Sequence, residues 1–165
     1  NRMRINPDKT KDMWICFNSA IPTPALLTLD GAAIERVNSH KLLGVWHQEN
    51  LKWNSHVEAV VRKENKRLFC LRECRRASLP YEVGLTSYRT KIRPILEYAA
   101  PIWGGLPEYL MEEIEQVQNR CLRILGLPQN ELQTLKERRD NITMEEIRRI
   151  KDNTHPCNKF ILPPY

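Results

Sequence analysis

The apolar positions of this chain change period about one third of the way along. The opening third carries short apolar runs separated by turn residues. Pro7, Asp8 and Lys9 suit a turn, and Met13, Trp14, Ile15, Cys16 and Phe17 form an apolar run that reads as a strand. Residues 18–24 read as a loop, because Pro22 and Pro24 bar regular pairing. Residues 26–29 read as a strand, Asp30-Gly31 as a two-residue hairpin turn, and Ala33, Ile34 and Val37 as the returning strand. Residues 41–46 complete the set as one strand, with Gly44 marking a bulge or a close backbone approach. The expected product is a small antiparallel β edge, too small to bury much alone.

From Trp53 the period becomes helical. Ser55 and Glu58 fit a capping box, and Val57, Val60, Val61, Leu68 and Leu71 share one face. Glu64 falls inside that stripe, where an unpaired carboxylate is expensive; the expectation is either a less buried helix end or a sequence copy that has decayed. After a break at 78–80, Pro80 opens a second helix with Leu85, Tyr88, Ile92, Ile95 and Leu96 inward, kinked by Pro94 and ended by Pro101. Residues 103–105 read as a loop. Leu110, Ile114, Val117, Cys121 and Ile124 recur at steps of four and three, with Gly126 as the C-cap and Pro128 beyond. Thr143 and Glu146 form another capping box, opening a short helix with Met144, Ile147 and Ile150. Residues 155–165 read as an extended tail. The fold class is therefore α+β, divided as 1–52, 53–127 and 128–165.

Composition narrows the function classes. With 165 residues, 41% hydrophobic and 28% charged, and a mean hydropathy of −0.55, the chain has the balance of a folded soluble protein. No apolar run approaches the ~18 residues of a membrane span. Residues 1–9 lack the apolar core of a secretion signal. The five cysteines, 16, 70, 74, 121 and 157, include no C-x-x-C pair. That pattern argues against a disulfide framework or a zinc module and for a reducing, intracellular setting. From the start at Asn1, with Met3 inside, the expectation is a fragment or a truncated gene model.

The net charge of +6 favours a polyanionic partner. Its focus is the helix segment carrying Arg62, Lys63, Lys66, Arg67, Arg72, Arg75 and Arg76 against Glu64 and Glu73. A one-signed face of this kind is either a solvated surface or a phosphate-tracking one. Arg89, Lys91 and Arg93 form a second cluster. Tyr98 and Trp103 suit core packing better than base stacking.

Four passages, in order, resemble the reverse transcriptases of non-LTR (LINE-type) retrotransposons. Residues 5–13 (INPDKTKDM) resemble an N-x-x-KT motif of the palm. Lys41, Leu43, Gly44 and Val45, then Trp53 and His56, resemble the K-x-LG-V strand and the W-x-x-H step into the thumb. Residues 92–103 and 114–125 resemble thumb segments. The resemblance implies the end of a palm, a helical thumb-like lobe and a connection. It implies a primer grip at Leu43, Gly44 and Val45, and contact of the basic helix with an RNA/DNA template–primer duplex. Lys9 takes the place of a lysine that protonates leaving pyrophosphate; with the rest of that site absent, the reading as a solvated turn residue is favoured. The family's Mg²⁺ is held by aspartates, one in an earlier strand and another in an aromatic-x-Asp-Asp turn. The Asp residues here are 8, 12, 30, 140 and 152, never adjacent. No cofactor or metal site is therefore expected in this chain, and the fingers and the first part of the palm belong elsewhere.

Two other readings stand beside this one. An Fe(II)/2-oxoglutarate dioxygenase of the alkylated-DNA-repair type needs two histidines and a carboxylate, to which only His47-Gln48-Glu49 and His56-Val57-Glu58 come near. A non-enzymatic helical interaction module would use the apolar stripe of 110–125 to bind a partner.

Overall fold

The structure, a computed structural model, describes residues 5–152 and 154–160. The chain divides into two compact units, Asn1–His56 and Val57–Tyr165. The class is α+β, as the change of period predicts.

The first unit is a set of short strand pairs. Pro7–Lys9 forms a 3₁₀ turn in which the Asn6 side chain accepts from the Asp8 N–H at 2.9 Å. Strand β1 (Lys11–Asp12) follows, then β2 (Thr28–Leu29) and β3 (Ala32–Ala33), which pair antiparallel. The turn between β2 and β3 is Asp30-Gly31, both at positive φ (50° and 83°), as the Asp-Gly pair requires. Strand β4 (Glu35–Arg36) pairs with β1 in parallel, an exception to the antiparallel expectation. Arg36 fastens that pairing. Its Nε donates to Asp12 Oδ2 at 2.7 Å, and its Nη atoms donate to the carbonyls of Pro24 and Ala25. Residues 13–17 form no strand; Trp14, Ile15 and Phe17 are exposed.

The expected single strand 41–46 is instead a hairpin. Strands β5 (Ser39–Leu42) and β6 (Val45–Gln48) pair antiparallel about Leu43-Gly44. Both turn residues have positive φ, 47° and 91°, so Gly44 serves a tight turn rather than a bulge. The hairpin buries Val45 and leaves Leu42 and Leu43 outside.

The division between the units falls in the first turn of α1 (Asn54–Arg76). Ser55 thus lies inside the helix, its N–H donating to Gln48 Oε1 at 3.1 Å.

The second unit is helical. Helix α2 (Tyr81–Ser87) passes through a π turn, Tyr88–Ile92, into α3 (Arg93–Leu96). Pro94 has no N–H to give to the Thr90 carbonyl, and its ring crowds that group. The helix widens there: the Arg93 N–H donates to the Tyr88 carbonyl, five residues back. A π turn thus takes the place of the expected kink. The helix ends before Pro101. Ala99 enters the left-handed region at φ 57°, and Pro101 lies in the first turn of α4 (Ala100–Trp103).

Helix α5 (Glu108–Leu125) is the amphipathic helix read from the sequence. Leu110, Ile114, Val117, Cys121 and Leu122 are buried. Gly126 caps it at φ 74°, with the Leu127 N–H donating to the Leu122 carbonyl at 2.9 Å. Its stripe is covered from within the chain, by α2 and by α6 (Leu135–Lys151), which removes the reason for expecting an external partner there. Helix α6 starts well before Thr143. Its cap is Thr134, whose hydroxyl accepts from the Glu137 N–H at 3.2 Å.

A buried polar chain ties α5 to its neighbours. Tyr88 Oη donates to Gln118 Oε1 at 2.8 Å. Gln118 Nε2 donates to Glu115 Oε1 (3.0 Å) and to the Gln133 carbonyl (3.1 Å). Glu115 Oε2 accepts from the Leu135 N–H at 2.9 Å, so α5 supplies an anion to the N-terminus of α6. Trp103, read as loop, is buried core; Arg139 stacks its guanidinium 5.4 Å from the ring centroid.

Candidate nucleic-acid interface

The seven basic residues of α1 divide by what each touches. Arg62 pairs with Glu58 one turn back. The Nη1 of Arg67 donates to the Lys91 carbonyl at 2.8 Å and stands 3.5 Å from Glu64. Arg75 donates to the Ile124 carbonyl at 2.7 Å, and Arg76 pairs with Glu73 at 2.6 Å. Lys63, Lys66 and Arg72 are exposed and make no hydrogen bond or ion pair among the described residues. These three are the cations α1 offers outward.

Alongside them, between α1 and the π turn, runs an open groove of about 540 Å³. Phe69, Pro94 and Ile95 supply much of its apolar floor, and Lys66, Arg67 and Lys91 its cationic rim. Arg67 bridges the two walls through its bond to the Lys91 carbonyl.

Glu64 is fully buried, contrary to the expectation of an open helix end. Neither carboxylate oxygen has a hydrogen-bond partner among the described residues. Burial raises its pKa above the usual carboxylate value, against the opposing pull of Arg67 and Lys63.

The other candidate residues lie in the first unit. Lys9 ends the exposed 3₁₀ turn. Leu43 and Gly44 form the tip of the β5–β6 hairpin, with Leu43 84% exposed, while the Val45 side chain is buried. Among the described residues no three His, Cys, Asp or Glu side chains come together as a metal site. The two H-x-E pairs therefore assemble no dioxygenase triad among the described residues.

No protein-family profile matches the chain, and no solved structure matches it. Two curated proteins of Drosophila melanogaster do. Over 125 residues the chain is 25% identical to a probable RNA-directed DNA polymerase from transposon BS, which covers 74% of this chain and 14% of that protein. Over 127 residues it is 24% identical to the probable RNA-directed DNA polymerase from transposon X-element, covering 75% of this chain and 14% of that protein. The chain is a relative of transposon reverse transcriptases. It spans about 14% of the length of each of these relatives.

His56 is a structural group of the first unit. It is buried, and its Nδ1 accepts from the Trp46 N–H at 3.4 Å; the Trp53 ring stands edge-on at 6.3 Å. Burial first, then His47 and Lys41, lower its pKa from 6.5 to about 4. The folded form keeps it neutral while the unfolded chain takes up a proton as pH falls through 6.5. Stability of this unit is therefore fully present above pH 6.5 and is lost progressively toward pH 4. Acid titration followed by tryptophan fluorescence is expected to show the hairpin loosening over that window. A His56→Gln variant, which has no group to protonate, removes that dependence; an unchanged profile in the variant would exclude His56 as its source.

The groove was not among the candidates read from the sequence. Phe69 is a single aromatic within the apolar run 68–71, and the residues facing it come from more than twenty positions further on. The one available signal was Pro94 inside a helical period, which forces the π turn that forms the opposite wall.

Proposed function

We propose that this chain is the part of a transposon reverse transcriptase that holds the template–primer duplex by its sugar-phosphate backbone. Lys63, Lys66 and Arg72 would face the phosphates, Leu43-Gly44-Val45 would act as a primer grip, and the carboxylates that bind Mg²⁺ would lie elsewhere in the parent polypeptide. The observation that carries this reading is that α1 presents these three cations outward, with no hydrogen bond or ion pair of their own among the described residues. A cation that already holds an anion or a carbonyl of its own chain gains less from a phosphate. Contacts of this kind are independent of base sequence.

The test is fluorescence anisotropy of the purified chain with an RNA–DNA hybrid across a salt series. Three phosphates neutralised correspond to a slope of log K against log salt of about −3. Failure to bind at low salt, or salt-insensitive binding, rules the reading out. Primer extension by the same protein with Mg²⁺ and dNTPs is expected to give no product, because the chain brings no acidic cluster to the reaction among its described residues. Template-dependent extension would refute the division of labour.

A further inference from the structure

The groove between α1 and the π turn has a shape and a charge that a duplex backbone does not use. Its floor is apolar and includes Phe69, 58% exposed despite its size. Its rim carries Lys66, Arg67 and Lys91, with no acidic side chain in the lining. The hydroxyl of Thr90, the remaining polar group of the π turn at the groove, is held by the Thr86 carbonyl at 2.8 Å. The occupant must therefore bring negative charge to the rim and a flat apolar body to the floor. At about 540 Å³ the groove lies within the range of small-ligand sites, ~300–1,000 Å³. A paired strand keeps its bases stacked inside the helix and has only sugar and phosphate to offer.

We infer that this groove takes an unpaired nucleotide of a single strand, its base on Phe69 and its phosphate between the ammonium groups of Lys66 and Lys91. Base stacking on an exposed aromatic beside cations is sequence-tolerant, since every base has a π face. Lys63 lies one helical turn before Lys66 and Arg67 on the same stripe, placed to meet the next phosphate. The π turn sets the opposite wall, and Arg67 braces it by donating to the Lys91 carbonyl. The inference rests on the duplex-binding reading and adds to it a strand state, unpaired against paired.

The experiment compares three probes on the full chain: a short single-stranded oligonucleotide carrying 2-aminopurine, a blunt RNA–DNA hybrid, and an acidic peptide containing phenylalanine. The oligonucleotide should bind with quenched 2-aminopurine fluorescence. Phe69→Ala removes a largely exposed ring, so the fold should persist, as circular dichroism can check. It should weaken the oligonucleotide roughly five- to a hundredfold and abolish the quenching, with the salt slope unchanged. Binding of the blunt hybrid should not change. An oligonucleotide that binds Phe69→Ala as tightly as the parent overturns the inference. So does an acidic peptide that displaces it, which would make the groove a protein-docking site. If the hybrid binds with its expected salt slope while the oligonucleotide ignores Phe69, the groove assignment falls and the duplex reading stands. If neither nucleic acid binds, both fall together.

Discussion

Changing Lys63, Lys66 and Arg72 together to glutamine should bring the salt dependence of hybrid binding close to zero. Each cation released from a phosphate removes about 0.9 from the slope, so the parent slope near −3 should be nearly gone in the triple variant. For the parent, that slope means affinity falling roughly fortyfold between 50 and 200 mM salt. The variant should lose a comparable factor at low salt and little at high salt. The matched control changes Arg62, Arg67 and Arg76, which carry the same total charge but pair within the chain. Their charges are partly neutralised already, so the control should shift the slope by clearly less. Equal losses in the two variants would mean that binding follows net charge alone. The distinction between free and engaged cations on α1 would then have no functional content.

That distinction could be read only in part from the sequence, which shows seven basic residues on one segment. The ranking comes from partners at two kinds of distance. Glu58 and Glu73 are within one turn and were visible as neighbours. The carbonyls of Lys91 and Ile124 come from helices whose packing no local pattern encodes. The same contrast runs through the fold. Asp30-Gly31 announces its turn because both residues tolerate positive φ, and Gly126 announces its cap for the same reason. Leu43-Gly44 makes the same kind of turn with a residue that rarely enters that region, so the hairpin reads as one strand.

Helix α6 was hidden for a different reason. Its N-cap is present, Thr134 accepting from the Glu137 N–H, but the apolar run that should follow is interrupted where Arg139 takes a core position against Trp103. With a cation on the inward face the helical period starts late, and Thr143 becomes the apparent beginning. Helix α5, whose inward positions are apolar apart from Gln118, was legible along its length. Sequence patterning thus located the elements that obey it and missed the start of α6, where a charged side chain takes an inward position.

Glu64 also takes an inward position, and Glu64→Met should stabilise the helical unit by about 1–4 kcal/mol at neutral pH. The carboxylate is fully buried with no hydrogen bond among the described residues, and its nearest cation, Arg67, stands 3.5 Å away and is committed to the Lys91 carbonyl. Methionine has similar length and can fill the same space beside Leu68 and Leu71 without a desolvated charge. The gain is measured as a shift in thermal or denaturant midpoint, roughly 4 °C or more per kcal/mol for a unit of this size. Its pH dependence identifies the cause. The folded-state pKa of Glu64 is raised, so the folded chain binds the proton before the unfolded chain does as pH falls. The penalty is complete above the folded pKa and shrinks on acidification toward the usual carboxylate range. The advantage of the methionine variant should therefore be greatest above the raised folded-state pKa and close as the solution is acidified toward the usual carboxylate range. Glu115, whose pKa burial also raises, is present in both proteins and cancels from the difference. A variant less stable than the parent at pH 7 would show that Arg67 and Lys63 more than offset the burial of Glu64. A gap that stays constant on acidification would show that packing, rather than charge, sets the difference.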